Sequence, residues 1–386
     1  MRTKHLKLAA LALLLSTINH QLSTVSAQGS LTPPGAPAPT MKTLDQVEPR
    51  TDVLTLAGDG GNRFIIAQPG SYYLTTNIVG VAGKNGIGIA SGNVTLDLNG
   101  FALLGVPSSL VGVKVNGTYT NLTVRNGAVS GWGGDGVDAY SAGLPRNVVL
   151  ERLAVSGNGG RGIETEAVSV VRDCLSQSNY TDGIYCIGGL ISGCVSRDNG
   201  GTGIFAVSSV VRDCQVQFSG YYGIYAESSV VRDCRVGSSG NDGIHANPSV
   251  VRDCWVESSA GDGIYAAPGT VSGCFVKDSM RSGIYVNLPG SQISGNTCIG
   301  NNTTASVGHA GIYVNDSNNR IEDNHVSATG GILGIKVNSP TYVNNVVIKN
   351  TVSGNGINNY AGFAGNDFGP VGTAAASTSP WANISH

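Results

Sequence analysis

Two groups of residues in this 386-residue chain are able to do chemistry. The first is a run of rings, Tyr185, Phe205, Tyr225, His245, Tyr265, Tyr285 and Tyr313, the first six of them 20 residues apart. Rings recurring at one strand position would offer flat faces for the C–H faces of a sugar chain. They would equally stabilise the strands by same-face stacking, with no ligand at all. The second group is Lys114, Asp138, Glu164 and Glu166. Carboxylates on neighbouring strands about 4.8 Å apart raise one another's pKa, the condition for a general acid beside a base or nucleophile. The same carboxylates could hold Ca²⁺, an oxygen-seeking ion, or simply form surface pairs with the lysine that contribute little.

These residues share a frame because the sequence repeats. Cys174, Cys194, Cys214, Cys234, Cys254 and Cys274 are 20 residues apart, and so are the Gly-Ile pairs from Gly183-Ile184 to Gly283-Ile284. The unit reads V-V-R-D-C-x-V, then a small polar turn, then G-I-Y-A. A looser form, apolar-x-x-z-x-apolar, extends it upstream with z at Phe101, Gly127 and Leu153, and downstream at Asn296, Asn324 and Asn350. Twelve coils result, each with short alternating runs bounded by Gly, Ser, Asn and Asp. Alternation within G-I-Y-A sends Ile and Ala to one face and Tyr to the other. The first outward line therefore reads Gly88, Lys114, Asp138, Glu164, the seven rings and Lys336. A second line, two residues on, ends in Asn287, Asn315 and Asn338. Strands pairing with their own copies make a parallel solenoid, and twelve coils give a rod on the order of 58 Å long.

Composition agrees. Glycine is abundant at 56 residues, charged residues make up only 12 %, and the hydrophobic fraction is 41 %, which argues against disorder and against helical bundles. A net charge of −2 offers no basic stripe for nucleic acid.

V-x-x-N-x-V followed by G-I-Y-V resembles the coil of the pectin-lyase-like class. The resemblance implies an all-β, single-domain, right-handed parallel β-helix of about twelve coils. Pro69-Gly70-Ser71-Tyr72-Tyr73-Leu74, Asn93 through Phe101, and the closing Pro380-Trp381-Ala382-Asn383 resemble the ends of a group of secreted bacterial repeat proteins. By that likeness Lys114 could be the base that abstracts a ring proton, as basic residues do in lyases of the class. The motifs of polygalacturonase-like hydrolases are missing apart from Gly334-Ile335-Lys336, which lacks the Arg. The D-P-H motif of alginate epimerases is missing as well.

Residues 1–27 read as a signal peptide, with Arg2, Lys4 and Lys7 ahead of the apolar run Leu8–Leu15 and small residues at Val25-Ser26-Ala27. A Pro-rich linker follows over 28–50, then the β-helix domain over 51–386 with covers at about 51–80 and 358–386. Secretion, or a periplasmic or cell-surface location, is expected. No apolar run is long enough to span a bilayer. All eight cysteines fall on the inward face, as buried thiols or as disulfides between adjacent coils, since the strand spacing permits both. His309, in a 16-residue connection, could face Tyr285 or Tyr313. Connections of 14 to 16 residues after Ile87, Val113 and Val137 could wall a cleft beside the charged group.

Three readings remain: polysaccharide binding along the rings, a lyase or hydrolase at Lys114, Asp138, Glu164 and Glu166, and a structural or adhesive surface protein. The expected partner is a polysaccharide or cell-surface glycan, with Ca²⁺ as the one conceivable cofactor.

Overall fold

The computed structural model describes residues 50–140, 146–166, 168–327 and 333–386. The expected signal peptide and nearly all of the linker lie outside them. Residues 50–386 form one compact unit, and its strands pair in parallel. Each middle coil contributes three short strands, as in Ser169–Arg172, Leu175–Gln177 and Ile184–Ile187. The third strand of each coil stacks into a sheet of fourteen rungs among the described residues. The other two ladders merge into one sheet because Thr120–Ser130 and Arg146–Ser156 each run through both without a break.

The repeat is visible in the packing. Ile184, Ile204, Ile224, Ile244, Ile264 and Ile284 are fully buried, as are the valines Val211, Val231, Val251 and Val271. Fourteen rungs exceed the twelve expected. Asn62–Ile66 and Asn358–Ala361, both assigned to covers from the sequence, pair as the first and last rungs. They lack the Gly-Ile signature, so the repeat pattern could not reach them. At the C-terminal end the Tyr360 hydroxyl donates to the Asn350 and Ile384 carbonyls at 2.7 and 3.1 Å.

The corners carry columns of small polar side chains. At one, Asn296, Asn324, Asn350 and Asn383 pass amide hydrogen bonds from coil to coil at 3.0 to 3.2 Å. The six cysteines continue this column, and all eight cysteines are buried free thiols. Their sulfurs contact main-chain carbonyls, such as Cys214 Sγ to Arg212 O at 3.1 Å. Burial pushes the Cys186 thiol up to about 12, so it behaves as a small hydrophobe.

Asn324→Leu tests the column. Asn324 donates to the Ile293 carbonyl at 2.9 Å and accepts the Asn296 N–H at 2.9 Å. Leucine would strand both groups in the interior, at about 1–3 kcal/mol each. Chemical denaturation should show a correspondingly lower unfolding free energy.

Candidate functional site

The fourteen-rung sheet aligns the outward residues as the repeat implies. Lys114 pairs in register with Asp138, Asp138 with Glu164 and Glu164 with Tyr185. Tyr185 leads through Phe205, Tyr225, His245, Tyr265 and Tyr285 to Tyr313 and Lys336. The line extends one rung further at each end, to Ile65 and Ala361.

Ring orientation corrects the idea of flat exposed faces. Successive rings lie 4.2 to 5.5 Å apart with interplanar angles of 6 to 14°. Their faces are consumed by one another, because the rung spacing matches ring stacking. What the stripe presents is edges and phenol hydroxyls. Tyr313 is removed from the surface altogether: it is 5 % exposed, packed with Ala310 and Leu333. The long connection ahead of Tyr313 brings Ala310 against its ring, a closure that strand spacing alone does not reveal.

The charged group is a network of ion pairs. The Lys114 ammonium donates to Asp138 Oδ2, and Arg161 Nη1 donates to Glu164 Oε1 at 2.5 Å. Asp135, which the sequence reading missed, joins Asp138 and Glu164, with carboxylate oxygens within 4.8 Å of one another. Glu166 lies outside that group. Burial pushes the Asp138 carboxyl up. Burial, with Asp138 and Asp135 nearby, lifts Glu164 to about 7 against the pull of Arg161. Two of the three carboxylates already face cations, Asp138 the Lys114 ammonium and Glu164 the Arg161 guanidinium, so a Ca²⁺ ion here would compete with both for oxygen ligands. As the ammonium partner of Asp138, Lys114 is poorly placed to act as a base. Of the connections expected to wall a cleft, the one after Val137 is only partly within the described residues.

Glu164 has a consequence for stability. Its carboxyl titrates higher folded than unfolded, so its contribution is full below the ordinary carboxylate value and is lost as pH rises through about 7. The unfolding midpoint of the parent should fall more between pH 5 and pH 8 than that of Glu164→Gln. The paired comparison isolates this group from His309, which acts in the opposite direction.

A second column beside the stripe went unread: the residue before each Gly-Ile. From Asp135 it runs Arg161, Asp182, Thr202, Tyr222, Asp242, Asp262 and Ser282, then Ala310 and Leu333. Its aspartates cap the next coil, Asp242 Oδ1 accepting the Asp262 N–H at 2.9 Å and Asp262 Oδ1 the Ser282 N–H at 2.8 Å. The position recurs every 20 residues, so the signal was present, but its residue type varies.

This column and the stripe meet at a cavity of about 360 Å³, within the size range of small-ligand clefts. Tyr222, Asp242, His245, Asp262, Tyr265, Arg281, Tyr285, Asn287 and His309 line it. His245 Nδ1 is 2.8 Å from Asp242 Oδ2. Asn287 Nδ2 donates to the Tyr265 hydroxyl at 2.6 Å, and the Asn287–Asn315–Asn338 amides continue at 3.1 and 2.9 Å. Burial, then the Asp242 charge, lifts Asp262 to about 7. Burial and the cations Arg281 and Lys336 push His309 down, and its Nδ1 is shielded with no protein partner. His309 thus lines the cavity, its ring 6.4 Å from that of Tyr313, one of the two neighbours that its connection allowed.

The family model described as right handed beta helix region matches residues 85–230 and 210–369. Among solved structures, tailspike protein 3 of bacteriophage CBA120 is 12 % identical with a TM-score of 0.52, over 96 % of this chain and 71 % of that one. The A-module of the Azotobacter vinelandii mannuronan C-5 epimerase AlgE4 is 16 % identical with a TM-score of 0.48, over 87 % of this chain and 100 % of that one. At these identities the likeness is one of fold. Comparison with curated proteins gives no match.

Proposed function

The chain belongs to the right-handed β-helix family, and we propose that it is an exported protein that binds a polysaccharide or cell-surface glycan along its fourteen-rung sheet. The observation that carries this reading is the cavity on the outward stripe, where phenols, amides, carboxyls and imidazoles converge. Such a lining offers donors and acceptors in number, the complement of a polyhydroxylated ligand. Periodicity supports a polymer over a single small molecule. The hydroxyls of Tyr225, Tyr265 and Tyr285 and the amides of Asn287, Asn315 and Asn338 extend the lining along neighbouring rungs. Contact is edge-on, through hydrogen bonds, since the ring faces are occupied.

The charged coils support catalysis less well, because Lys114, Asp138, Arg161 and Glu164 satisfy one another. No helix among the described residues is long and apolar enough to cross a membrane. The test is retention of the purified chain on acidic and neutral polysaccharides by affinity electrophoresis. Retardation by at least one polymer class is expected; migration unchanged by every polymer would overturn the reading.

A further inference from the structure

We infer that the cysteine column is a binding site for soft, two-coordinate monovalent cations of the Cu(I) class, threaded between the sulfurs of successive coils. The inference stands apart from the polysaccharide reading and uses a different corner of the coil.

Cys174, Cys194, Cys214, Cys234, Cys254 and Cys274 sit at one place in six consecutive coils. Each sulfur contacts the carbonyl oxygen two residues earlier, at 3.3, 3.4, 3.1, 3.2, 3.2 and 3.4 Å in that order. A shared contact means a shared rotamer, so the sulfurs repeat at the rung spacing of about 4.8 Å. The main chain holds that spacing: the Gln215 N–H donates to the Cys194 carbonyl, that of Arg235 to Cys214 and that of Trp255 to Cys234, each at 2.9 Å. Neighbouring thiols act on one another. Cys194 and Cys234 push Cys214 up, and Cys234 and Cys274 push Cys254 up.

The spacing selects the ligand. Two metal–thiolate bonds of about 2.3 Å placed end to end span about 4.6 Å, so a cation fits between adjacent sulfurs with the coils where they are. A disulfide would need the same sulfurs drawn to about 2.05 Å, and all six are free thiols. Tetrahedral zinc requires four ligands around one point, yet the third sulfur of any run lies about 9.6 Å from the first. Among the described residues, the three side chains whose ligating atoms gather within 4.8 Å are Asp135, Asp138 and Glu164, on other coils. Two-coordination by soft sulfur therefore matches ions of the Cu(I) class.

A groove gives access. It has a volume of about 510 Å³ and is lined by Cys194, Cys214 and Cys234 together with the exposed Asp213, Asp233 and Asp253. Those three cysteines are 1 to 3 % exposed, just beneath its surface. The carboxylates draw a cation to the rim, and the thiols take it, because a soft ion prefers sulfur to oxygen.

The charge balances. Each cation that enters displaces one thiol proton to solvent, so the buried column stays neutral. Six sulfurs in file leave five gaps, hence about five cations in, as many protons out, and one thiol proton retained. Copper enters as Cu(I) and stays Cu(I), so no electron moves.

The experiment titrates the reduced full chain, without oxygen, with the Cu(I)–bicinchoninate complex and follows the loss of its colour. About five Cu(I) per chain should transfer, X-ray absorption should show two sulfur ligands per copper, and excess Zn²⁺ should displace none. Cys214→Asn combined with Cys234→Asn should lower uptake to about two, since the Cys174–Cys194 and Cys254–Cys274 gaps alone survive. Asparagine already occupies this column at Asn296, Asn324 and Asn350, so the variant should fold, and its melting curve checks that. Cys186→Ala combined with Cys298→Val should still take up about five, because Ala206 pairs beside Cys186 and Val276 and Val326 flank Cys298. Any one of four results overturns the inference: no transfer to the folded chain, uptake unchanged by the asparagine pair, uptake lost with Cys186 and Cys298, or copper held by three or more sulfurs.

Discussion

Gly243→Ala should destabilise the protein by about 3 kcal/mol, at the upper end of the overpacking range. A Cβ at this position would lie 2.3 Å from Val256 Cγ1, 2.6 Å from the Gly263 carbonyl oxygen and 2.6 Å from Ser259 Oγ. The carbonyl belongs to the next rung and is fixed there by the Ile244 N–H at 3.0 Å, so it cannot give way without breaking the ladder. The requirement is steric, since the close neighbours, not the backbone angle, exclude the methyl group. Gly223 and Gly263 meet the same three kinds of neighbour, which explains why Gly precedes Ile in unit after unit. Gly237→Ala is the matched control. Its nearest atom would be Glu257 Cγ at 3.4 Å, an ordinary contact. Thermal and chemical unfolding of the two variants should separate clearly, the control staying near the parent.

The second large effect concerns binding. Tyr265→Phe combined with Asn287→Ala should weaken polymer affinity about tenfold to a hundredfold. Each substitution removes a hydrogen-bonding group worth about 0.5–1.5 kcal/mol, and the two groups act together through their 2.6 Å bond. Ring stacking survives the tyrosine change because the ring remains. Exposed Trp255 stacks on half-buried Phe275, 4.3 Å away on a different ladder, so Trp255→Ala should leave affinity unchanged. Affinity electrophoresis measures both. Equal losses from the two sheets would point to non-specific adhesion.

Much of this architecture was legible in the sequence because the repeat acts as a ruler. The outward line from Gly88 to Lys336 pairs in the order read, since a 20-residue unit fixes which side chains are neighbours across rungs. The inward cysteines followed from the same alternation. Three features were not legible, each for a physical reason. Spacing places rings on one line but leaves the ring planes undetermined, and those planes decide whether faces or edges reach solvent. Tyr313 shares the line yet is covered by Ala310 and Leu333, apolar residues at the position before Gly-Ile, where the preceding coils carry mostly polar side chains. Asp242 and Asp262 recur at the right interval, but both were hidden by reading the unit from Gly onward. Their double use, as coil caps and as cavity wall, appears only when the His245 ring and the Arg281 and His309 side chains close around them. The charged coils show the converse case. Register brought Lys114, Asp138 and Glu164 together as read, while the unread Arg161 pairs with Glu164 and the unread Asp135 adds a third carboxylate beside it.

The central claim is that ligand binds on the fourteen-rung sheet at the cavity. Hydroxyl-radical footprinting with a retained oligosaccharide tests it most directly, because oxidation reports side-chain accessibility residue by residue. Protection should centre on Tyr222, His245, Tyr265 and Tyr285, with Trp255 and Phe275 oxidised as in the free protein. Protection of the Trp255 ladder, with the His245 stripe unchanged, would contradict the account.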